Sequence, residues 1–338
     1  MYKTQFTLQI SSLLIASLLL SGCLSQTSVK PKADQQNVSL MTAYDYQLVN
    51  SSLQNLSLKQ LIVQLESADI VFVGEFHGNH ASHLLEMQLL AGLYQQNPNI
   101  LLSMEMFNRD QQTMLNQYLD SEIGEVQLVK ETPAWNNYVA SYRPLVEFAK
   151  QHFLPVVAAN ASADIVRCIG RKGESYLSKL NPQEKANIAQ NPFAEIPGYK
   201  AKFNDFLEEM RHLPDERKNN SYLAQITRDN TMAESIYQAW LNHPQHQVIH
   251  INGAFHSENH LGTVAALKQL DPKLNIQVIT PIRVESFDEI KGFKKSEKNA
   301  NDDFIYFLKP QPEQYLDAVY KRKDRQAMFN KSEQASCK

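Results

Sequence analysis

The chain has no long run of basic residues, and its charges nearly cancel. It contains 33 Lys and Arg residues against 36 Asp and Glu residues, a formal net charge of -3. A nucleic-acid-binding surface needs a concentrated positive potential, so this composition argues against nucleic acid as a partner. Hydrophobic residues make up 43% of the 338 residues, enough for one large domain or for a domain with a subdomain.

Two common catalytic motifs are also missing. Gly74 and Gly78 have the spacing of neither a P-loop nor a dinucleotide-binding turn. The chain contains no Gly-x-Ser-x-Gly sequence, the strained turn that exposes a serine nucleophile. Nucleotide-dependent and serine-hydrolase functions therefore rank low.

Cysteine is scarce, with three residues in the chain. Cys168 and Cys337 lie far apart in the sequence and do not have a metal-binding spacing. An oxidising compartment would allow a disulfide between them, but Cys337 lies in a polar tail. We therefore predict that both cysteines are incidental.

An apolar run over residues 13–20 is too short to cross a bilayer. It follows Lys3 and ends in the sequence LSGC at Cys23, which resembles the lipobox of bacterial lipoproteins. The resemblance implies a signal peptide over residues 1–22, a lipidated Cys23 and, because Leu24 follows, a membrane anchor in the outer membrane that faces the periplasm. Residues 23–40 are rich in Ser, Gln, Lys and Pro, a composition typical of a tether.

Six short apolar runs predict strands, and helical patterns lie between them. The runs cover residues 70–73, 100–104, 154–159, 247–251, 276–284 and 304–308. This alternation predicts an α/β fold with a mostly parallel sheet flanked by helices. Residues 165–235 are largely polar and helical and predict a small helical subdomain; the α/β domain then comprises residues 41–164 and 236–325, and residues 326–338 form a polar tail.

Polar side chains follow four of these strands directly, namely Glu75, His77, Glu105, Asn160, Asn252 and His256. The carboxyl ends of parallel strands meet at one edge of a sheet, so we expect these groups to converge on one crevice. Such a set can bind a divalent metal or pair an acid with a base for hydrolysis. For any single member the simpler alternative is helix capping or an ordinary hydrogen bond. His80 and His83, at the start of the next helix, could join this set, but we predict that they lie at the surface, as helix-start histidines commonly do.

Five motifs in order resemble the ChaN-like haem-binding lipoproteins, relatives of the Tiki proteases and erythromycin esterases. They are GEFH at 74–77, EMFNRDQQ at 105–112, YRPLVEFA at 142–149, QITRDNTMAE at 225–234 and NGAFH at 252–256. The resemblance covers most of residues 65–285. It implies an α/β domain with a helical subdomain, a lipid anchor, and haem bound between two protomers of a homodimer with the porphyrins stacked face to face.

The same resemblance implies a tyrosinate as the axial haem ligand, with a histidine nearby. A hard, anionic phenolate oxygen suits ferric iron. The helical segment offers Tyr222, the first choice for the iron, together with Tyr199 and His212. Tyr222 also belongs to an apolar helical stripe, so ordinary core packing is the alternative.

Two functions follow from these motifs. The favoured hypothesis is a non-enzymatic outer-membrane lipoprotein that binds haem and takes part in haem or iron uptake, with an outer-membrane haem or iron receptor as a further partner. The competing hypothesis is a periplasmic hydrolase, with or without metal, that uses Glu75, His77, Glu105 and His256.

Overall fold

An eight-stranded sheet forms the centre of the protein in the computed structural model, which describes residues 41–132, 135–210, 214–296, 299–334 and 336–338. The predicted signal peptide, Cys23 and the tether lie outside these residues. The strands are β1 (Tyr46–Asn50), β2 (Asn55–Leu56), β3 (Ile70–Glu75), β4 (Ile100–Asn108), β5 (Val156–Asn160), β6 (Gln247–Gly253), β7 (Ile276–Arg283) and β8 (Phe304–Leu308). Their order across the sheet is β2-β1-β8-β7-β3-β6-β4-β5.

Helices connect and cover these strands. They are α1 (Leu58–Leu65), α2 (His80–Gln96), α3 (Gln112–Leu119), α4 (Glu125–Glu131), α5 (Tyr138–Ser141), α6 (Arg143–Gln151), α7 (Ala163–Lys172), α8 (Pro182–Lys185), α9 (Tyr199–Met210), α10 (Asp215–Asn242), α11 (Thr263–Leu270) and α12 (Ala318–Gln334). No helix in the described part of the chain combines the length and apolar character needed to cross a membrane.

The six predicted strands are all present and run parallel from β3 to β8, which confirms the mostly parallel sheet. Their ends differ in detail. β3 includes Gly74 and Glu75, and β4 continues beyond Glu105 to Asn108 with an irregular register against β5. The antiparallel strands β1 and β2, at the edge of the sheet opposite β5, were not predicted.

Both faces of the sheet are buried, which explains why its strands have continuous apolar sequences. Side chains alternate along β3, so Val71 and Val73 pack in the core beneath α1 to α6, whereas Ile70 and Phe72 pack in the core beneath α9 to α11. The prediction of flanking helices is therefore confirmed. α10 runs through residue 235, and the predicted domain boundaries stay a prediction.

The exposed edge of β5 is paired by a side chain. Gln112, the first residue of α3, donates from Nε2 to the carbonyl oxygen of Val156 at 2.9 Å. Its Oε1 accepts the backbone N–H of Ala158 at 2.7 Å. One amide side chain thus takes the place of a neighbouring strand at this edge.

A disulfide joins Cys168 of α7 to Cys337, three residues after the end of α12, with sulfur atoms 2.10 Å apart. The prediction that both cysteines are incidental is wrong. The polar tail after α12 lies against α7. The two cysteines are 169 residues apart in the sequence, so the sequence alone did not indicate this contact. The adjacent Lys338 forms an ion pair with Glu184, which holds the tail at the same place.

Candidate functional site

The polar groups at the carboxyl ends of β3, β4 and β6 lie together. These three strands are neighbours in the sheet, so their ends meet at one edge. The four residues of the hydrolase hypothesis lie there: Glu75, His77, Glu105 and His256. Asn160 and Asn252 are buried beside them and bond to backbone atoms: Asn160 Nδ2 donates to the Glu105 carbonyl at 3.0 Å, and Asn252 Nδ2 donates to the Gly253 carbonyl at 2.9 Å.

Glu75 is the hub of a buried hydrogen-bond network. Its Oε1 accepts the Tyr142 hydroxyl at 2.6 Å and is also hydrogen bonded to Nδ1 of His77. Its Oε2 lies 3.0 Å from Nδ1 of His83. Burial alone would raise the pKa of Glu75, but the hydrogen bonds from His77 and His83 lower it well below its usual range. Glu75 is therefore ionised at neutral pH.

A second carboxyl group lies behind this hub. Glu86 of α2 is fully buried, and its Oε2 lies 3.1 Å from Nδ1 of His83. Burial and the neighbouring charge of Glu75 raise the pKa of Glu86 well above its usual range. The prediction that His83 lies at the surface is wrong, because its side chain is only 8% exposed; His80 is exposed as expected.

The donor atoms of Glu75, His83 and Glu86 lie within 4.8 Å of one another, close enough to hold a metal ion. Two carboxylates and one imidazole suit a divalent ion such as Mn²⁺ or Zn²⁺. Burial lowers the pKa of His83, but its hydrogen bonds to Glu75 and Glu86 raise that pKa to about 10. His83 Nδ1 therefore holds a proton between the two carboxylates, and a bound ion would have to displace it.

The side chain of His77 is partly open to solvent. It is 40% exposed, and its ring packs edge-on against Trp135 at 4.7 Å. A Cβ atom on Gly253 would lie 2.7 Å from Nε2, so only glycine leaves room for this ring. Burial lowers the pKa of His77, but the hydrogen bond to Glu75 and the charge of Glu105 raise it. The upward effects are the larger, so the pKa of His77 lies above its usual value.

His256 forms a second imidazole–carboxylate pair. Its Nδ1 lies 2.7 Å from Oδ1 of Asp229, an oxygen that also accepts the Thr263 hydroxyl at 2.8 Å. Its Nε2 lies 3.5 Å from Oε1 of Glu105. The other Glu105 oxygen accepts the backbone N–H of Gly253 at 2.6 Å, which fixes the carboxylate between the two histidines.

Sequence reasoning did not assign Tyr142 and Asp229 to the site. Tyr142 lies in the turn between α5 and α6 and Asp229 lies in α10, so both reach the strand ends only through tertiary packing. In the sequence, only their positions within the motifs at 142–149 and 225–234 could have indicated a role in the site. The same holds for Arg228, which donates to Asn160 Oδ1 at 3.2 Å.

A cleft of about 480 Å³ opens over these groups. His77 and His256 lie at its base, with Arg283 and Gln311 at the rim. Its apolar walls are four phenylalanines, Phe76, Phe203, Phe206 and Phe255. A larger hollow of about 700 Å³ lies beside β5 and contains none of the strand-end groups. The smaller cleft is therefore the candidate site.

The predicted haem-ligating tyrosines lie behind the phenylalanine wall. Tyr222 is buried and donates its hydroxyl proton to Glu195 at 3.0 Å. Tyr199 is buried, and its hydroxyl accepts from Gln225 Nε2 at 3.0 Å. Burial is the main cause that raises the pKa of both hydroxyls. His212 lies outside the described residues, and ligation by this group of residues stays a prediction.

The sequence and the fold were compared with known proteins. The family described as haem-binding uptake, Tiki superfamily, ChaN, matches residues 61–267, more than half of the chain. No curated protein matches.

Among solved structures, the ChaN protein of Campylobacter jejuni with cofacially bound haem has a TM-score of 0.56 at 17% identity, over 79% of this chain and 98% of that one. A mutant of the erythromycin esterase EreC in its open conformation has a TM-score of 0.43 at 12% identity, over 82% and 86%. The type III effector HopBA1 has a TM-score of 0.43 at 11% identity, over 75% and 94%. From the family match, this chain belongs to the ChaN haem-binding uptake family of the Tiki superfamily.

Proposed function

We propose that this protein binds haem in the cleft above the strand ends and takes part in haem or iron uptake. The observation that carries the proposal is the lining of the cleft, where phenylalanine side chains and the partly exposed imidazole of His77 share one cavity. A porphyrin presents two apolar faces and an iron that binds imidazole or phenolate. Bound haem would supply a redox-active iron. For uptake, however, the chain needs only to bind haem and release it.

The two sides of the cleft differ in what they offer haem. Phe203 and Phe206 project from α9, and Phe206 is 39% exposed although it lines the cleft. Within one chain, this aromatic surface is only partly covered by other residues. We propose that a second copy covers it, with haem between the two protomers of a homodimer, since exposed apolar patches commonly mark such interfaces.

His77 is the residue best placed to face the iron in this conformation. Its Nδ1 is bonded to the Glu75 carboxylate, so Nε2 is the ring nitrogen that remains for iron, and the residue lines the cleft. Metal-binding imidazoles usually carry such a carboxylate partner, which fixes the ring and increases its basicity. Ligation by Tyr222 would require its bond to Glu195 to break, and ligation by Tyr199 its bond to Gln225. Both tyrosines remain alternatives for the titration below.

The cellular context belongs to the same proposal. Lipidation of Cys23 would attach the chain to the outer membrane on its periplasmic side, and the segment of residues 23–40 would hold the domain away from the lipid surface. An outer-membrane haem or iron receptor is the partner that would deliver haem to such a protein.

A haemin titration of the protein lacking residues 1–23, followed by absorbance and sedimentation, tests the proposal. We expect saturation at one haem per chain together with conversion of monomer to dimer. His77→Ala should weaken binding about tenfold or more, because it removes the imidazole in the cleft. His80→Ala, an exposed histidine three residues away, is the matched control and should bind as the wild type does.

Two outcomes would change the assignment. Loss of binding in Tyr222→Phe with binding retained in His77→Ala would move the ligand to Tyr222. The absence of saturable binding in the wild-type protein would refute the haem proposal.

A second candidate function is hydrolysis in the same cleft. The observation that favours it is the pair of imidazole–carboxylate dyads, His77 with Glu75 and His256 with Asp229, on either side of Glu105. A carboxylate at Nδ1 orients an imidazole so that Nε2 can take a proton from water. The buried Glu75, His83 and Glu86 cluster is the place where a divalent ion could support this chemistry.

A panel of esters and amides, assayed with and without chelator, tests this alternative. If the cleft is hydrolytic, we expect His256→Ala to lose about 100-fold or more of the turnover, since general acid–base groups contribute on that order. Tyr222→Phe, which changes a hydroxyl behind the wall, should keep its turnover. Equal turnover in His256→Ala and wild type would exclude His256 from any such reaction.

A further inference from the structure

A basic recess adjoins the candidate cleft. It has a volume of about 350 Å³ and is lined by the segment from Pro310 to Tyr315, by Arg283 at the end of β7, and by Lys321 and Arg325 of α12. Arg283 and Gln311 line both the recess and the cleft. The two spaces therefore share part of their lining; the cleft is mostly apolar, and the recess contains three cationic side chains.

The charges in the recess do not cancel. Three cationic side chains face one carboxylate, that of Glu313. Among the described residues, none of the three cations has an ion-pair partner within 4.0 Å. The nearby Asp324 accepts the Tyr315 hydroxyl at 2.5 Å, a bond that satisfies this carboxylate within α12 and its preceding loop. The recess thus carries a positive potential suited to an anion.

Arg283 stands at the junction of the two spaces. Its guanidinium group lies over the ring of Phe76, 3.9 Å from the centroid. Stacking on an aromatic face holds the guanidinium plane in one orientation and leaves its edge available for a carboxylate. A ligand that lies against Phe76 would therefore find a carboxylate-binding group at its edge.

We propose that this recess binds the propionate carboxylates of haem, through Arg283, Lys321 and Arg325 of the same chain that contributes the cleft. The inference rests on the proposed haem function. It assigns a role to residues beyond position 267, where the family match ends. Guanidinium and carboxylate groups form paired, charge-assisted hydrogen bonds, and a lysine adds a mobile third donor.

Two attachments, a disulfide and a hydrogen bond, support a preformed recess. The disulfide at Cys337 fixes the chain just beyond α12 to α7, and the Tyr315–Asp324 bond fixes the loop that enters α12. Two attachments limit how far Lys321 and Arg325 can move from Arg283. A site ordered before the ligand arrives loses less entropy on binding.

The test compares haemin with haemin dimethyl ester, which lacks the two negative charges. We expect the wild type, without residues 1–23, to prefer haemin by about tenfold or more. The double variant Lys321→Ala/Arg325→Ala should lower this preference by about threefold or more, and Arg283 accounts for what remains. The matched control is Arg322→Ala/Lys323→Ala on the exposed face of the same helix, which loses the same charge and should retain the preference.

The outcomes separate this inference from the function on which it rests. Saturable binding of both ligands with no preference in the wild type would overturn the recess and leave the haem function standing. A preference for haemin that is as large in Lys321→Ala/Arg325→Ala as in the wild type would overturn it as well. If the wild type binds neither ligand, the haem function itself fails.

Discussion

Replacing Cys337 by serine is expected to lower the free energy of unfolding by about 5 kcal/mol, the largest single effect we anticipate in this protein. The disulfide closes a loop between residues 169 positions apart, and the chain-entropy account assigns about this value to a loop of that length. The loss arises mainly because the unfolded chain gains freedom once the cross-link is gone. Denaturant-induced unfolding of the oxidised wild type and of Cys337→Ser measures the difference.

Two comparisons show whether the cross-link itself is responsible. Cys168→Ser should match Cys337→Ser, because each removes the same bond. The wild type kept reduced throughout unfolding should lose a comparable amount. A difference below about 1 kcal/mol between oxidised wild type and Cys337→Ser would mean that the unfolded chain is already compact around these residues.

Acid should destabilise the protein through one buried histidine. His250 of β6 is fully buried, and its Nδ1 lies 2.9 Å from the Ser103 hydroxyl. Burial, helped by the nearby positive charge of His256, lowers the pKa of His250 to about 3. In the unfolded chain the pKa returns to about 6.5, so between these values the unfolded state binds the additional proton.

The sign of this effect follows directly. Above pH 6.5 neither state is protonated at His250 and there is no penalty. As the pH falls below 6.5 the free energy of unfolding decreases, by about 3 kcal/mol at pH 4.5 from this residue. Unfolding measured at pH 7 and at pH 4.5 gives the total acid sensitivity of the wild type.

His250→Asn isolates the contribution, since asparagine retains a polar atom toward Ser103 and does not titrate. Its stability should change about 3 kcal/mol less than that of the wild type between the two pH values. His80→Gln, at an exposed histidine, should keep the full acid sensitivity of the wild type. An unchanged acid sensitivity in His250→Asn would mean that the imidazole is solvated or protonated in the folded state.

The sheet could be predicted from sequence because its central strands are buried on both faces. Runs such as residues 70–73 and 304–308 carry β-branched and aromatic side chains without interruption, and few other structures accommodate them. Strands β1 and β2 were not predicted because they lie at the edge of the sheet opposite β5 and lack a continuous apolar run. β1 is defined by its antiparallel pairing with β8, and the two-residue β2 by its pairing with β1.

The site was predictable to the extent that chain order fixes geometry. Glu75, Glu105 and His256 follow parallel strands, so the rule that strand ends share an edge brought them together. Asp229 could not be assigned in this way, because its contact with His256 depends on how α10 crosses the sheet. The burial of His83 depends likewise on the tilt of α2 toward Glu75, which no spacing in the sequence encodes.

Gln112 has a consequence for how copies of this protein meet. The outermost strand of an open sheet displays unpaired N–H and C=O groups, on which a strand of another molecule can add indefinitely. Gln112 occupies the outward-facing groups of Val156 and Ala158, so β5 offers no continuous template for fibre growth. This edge of the sheet is therefore closed to strand addition by another copy of the chain.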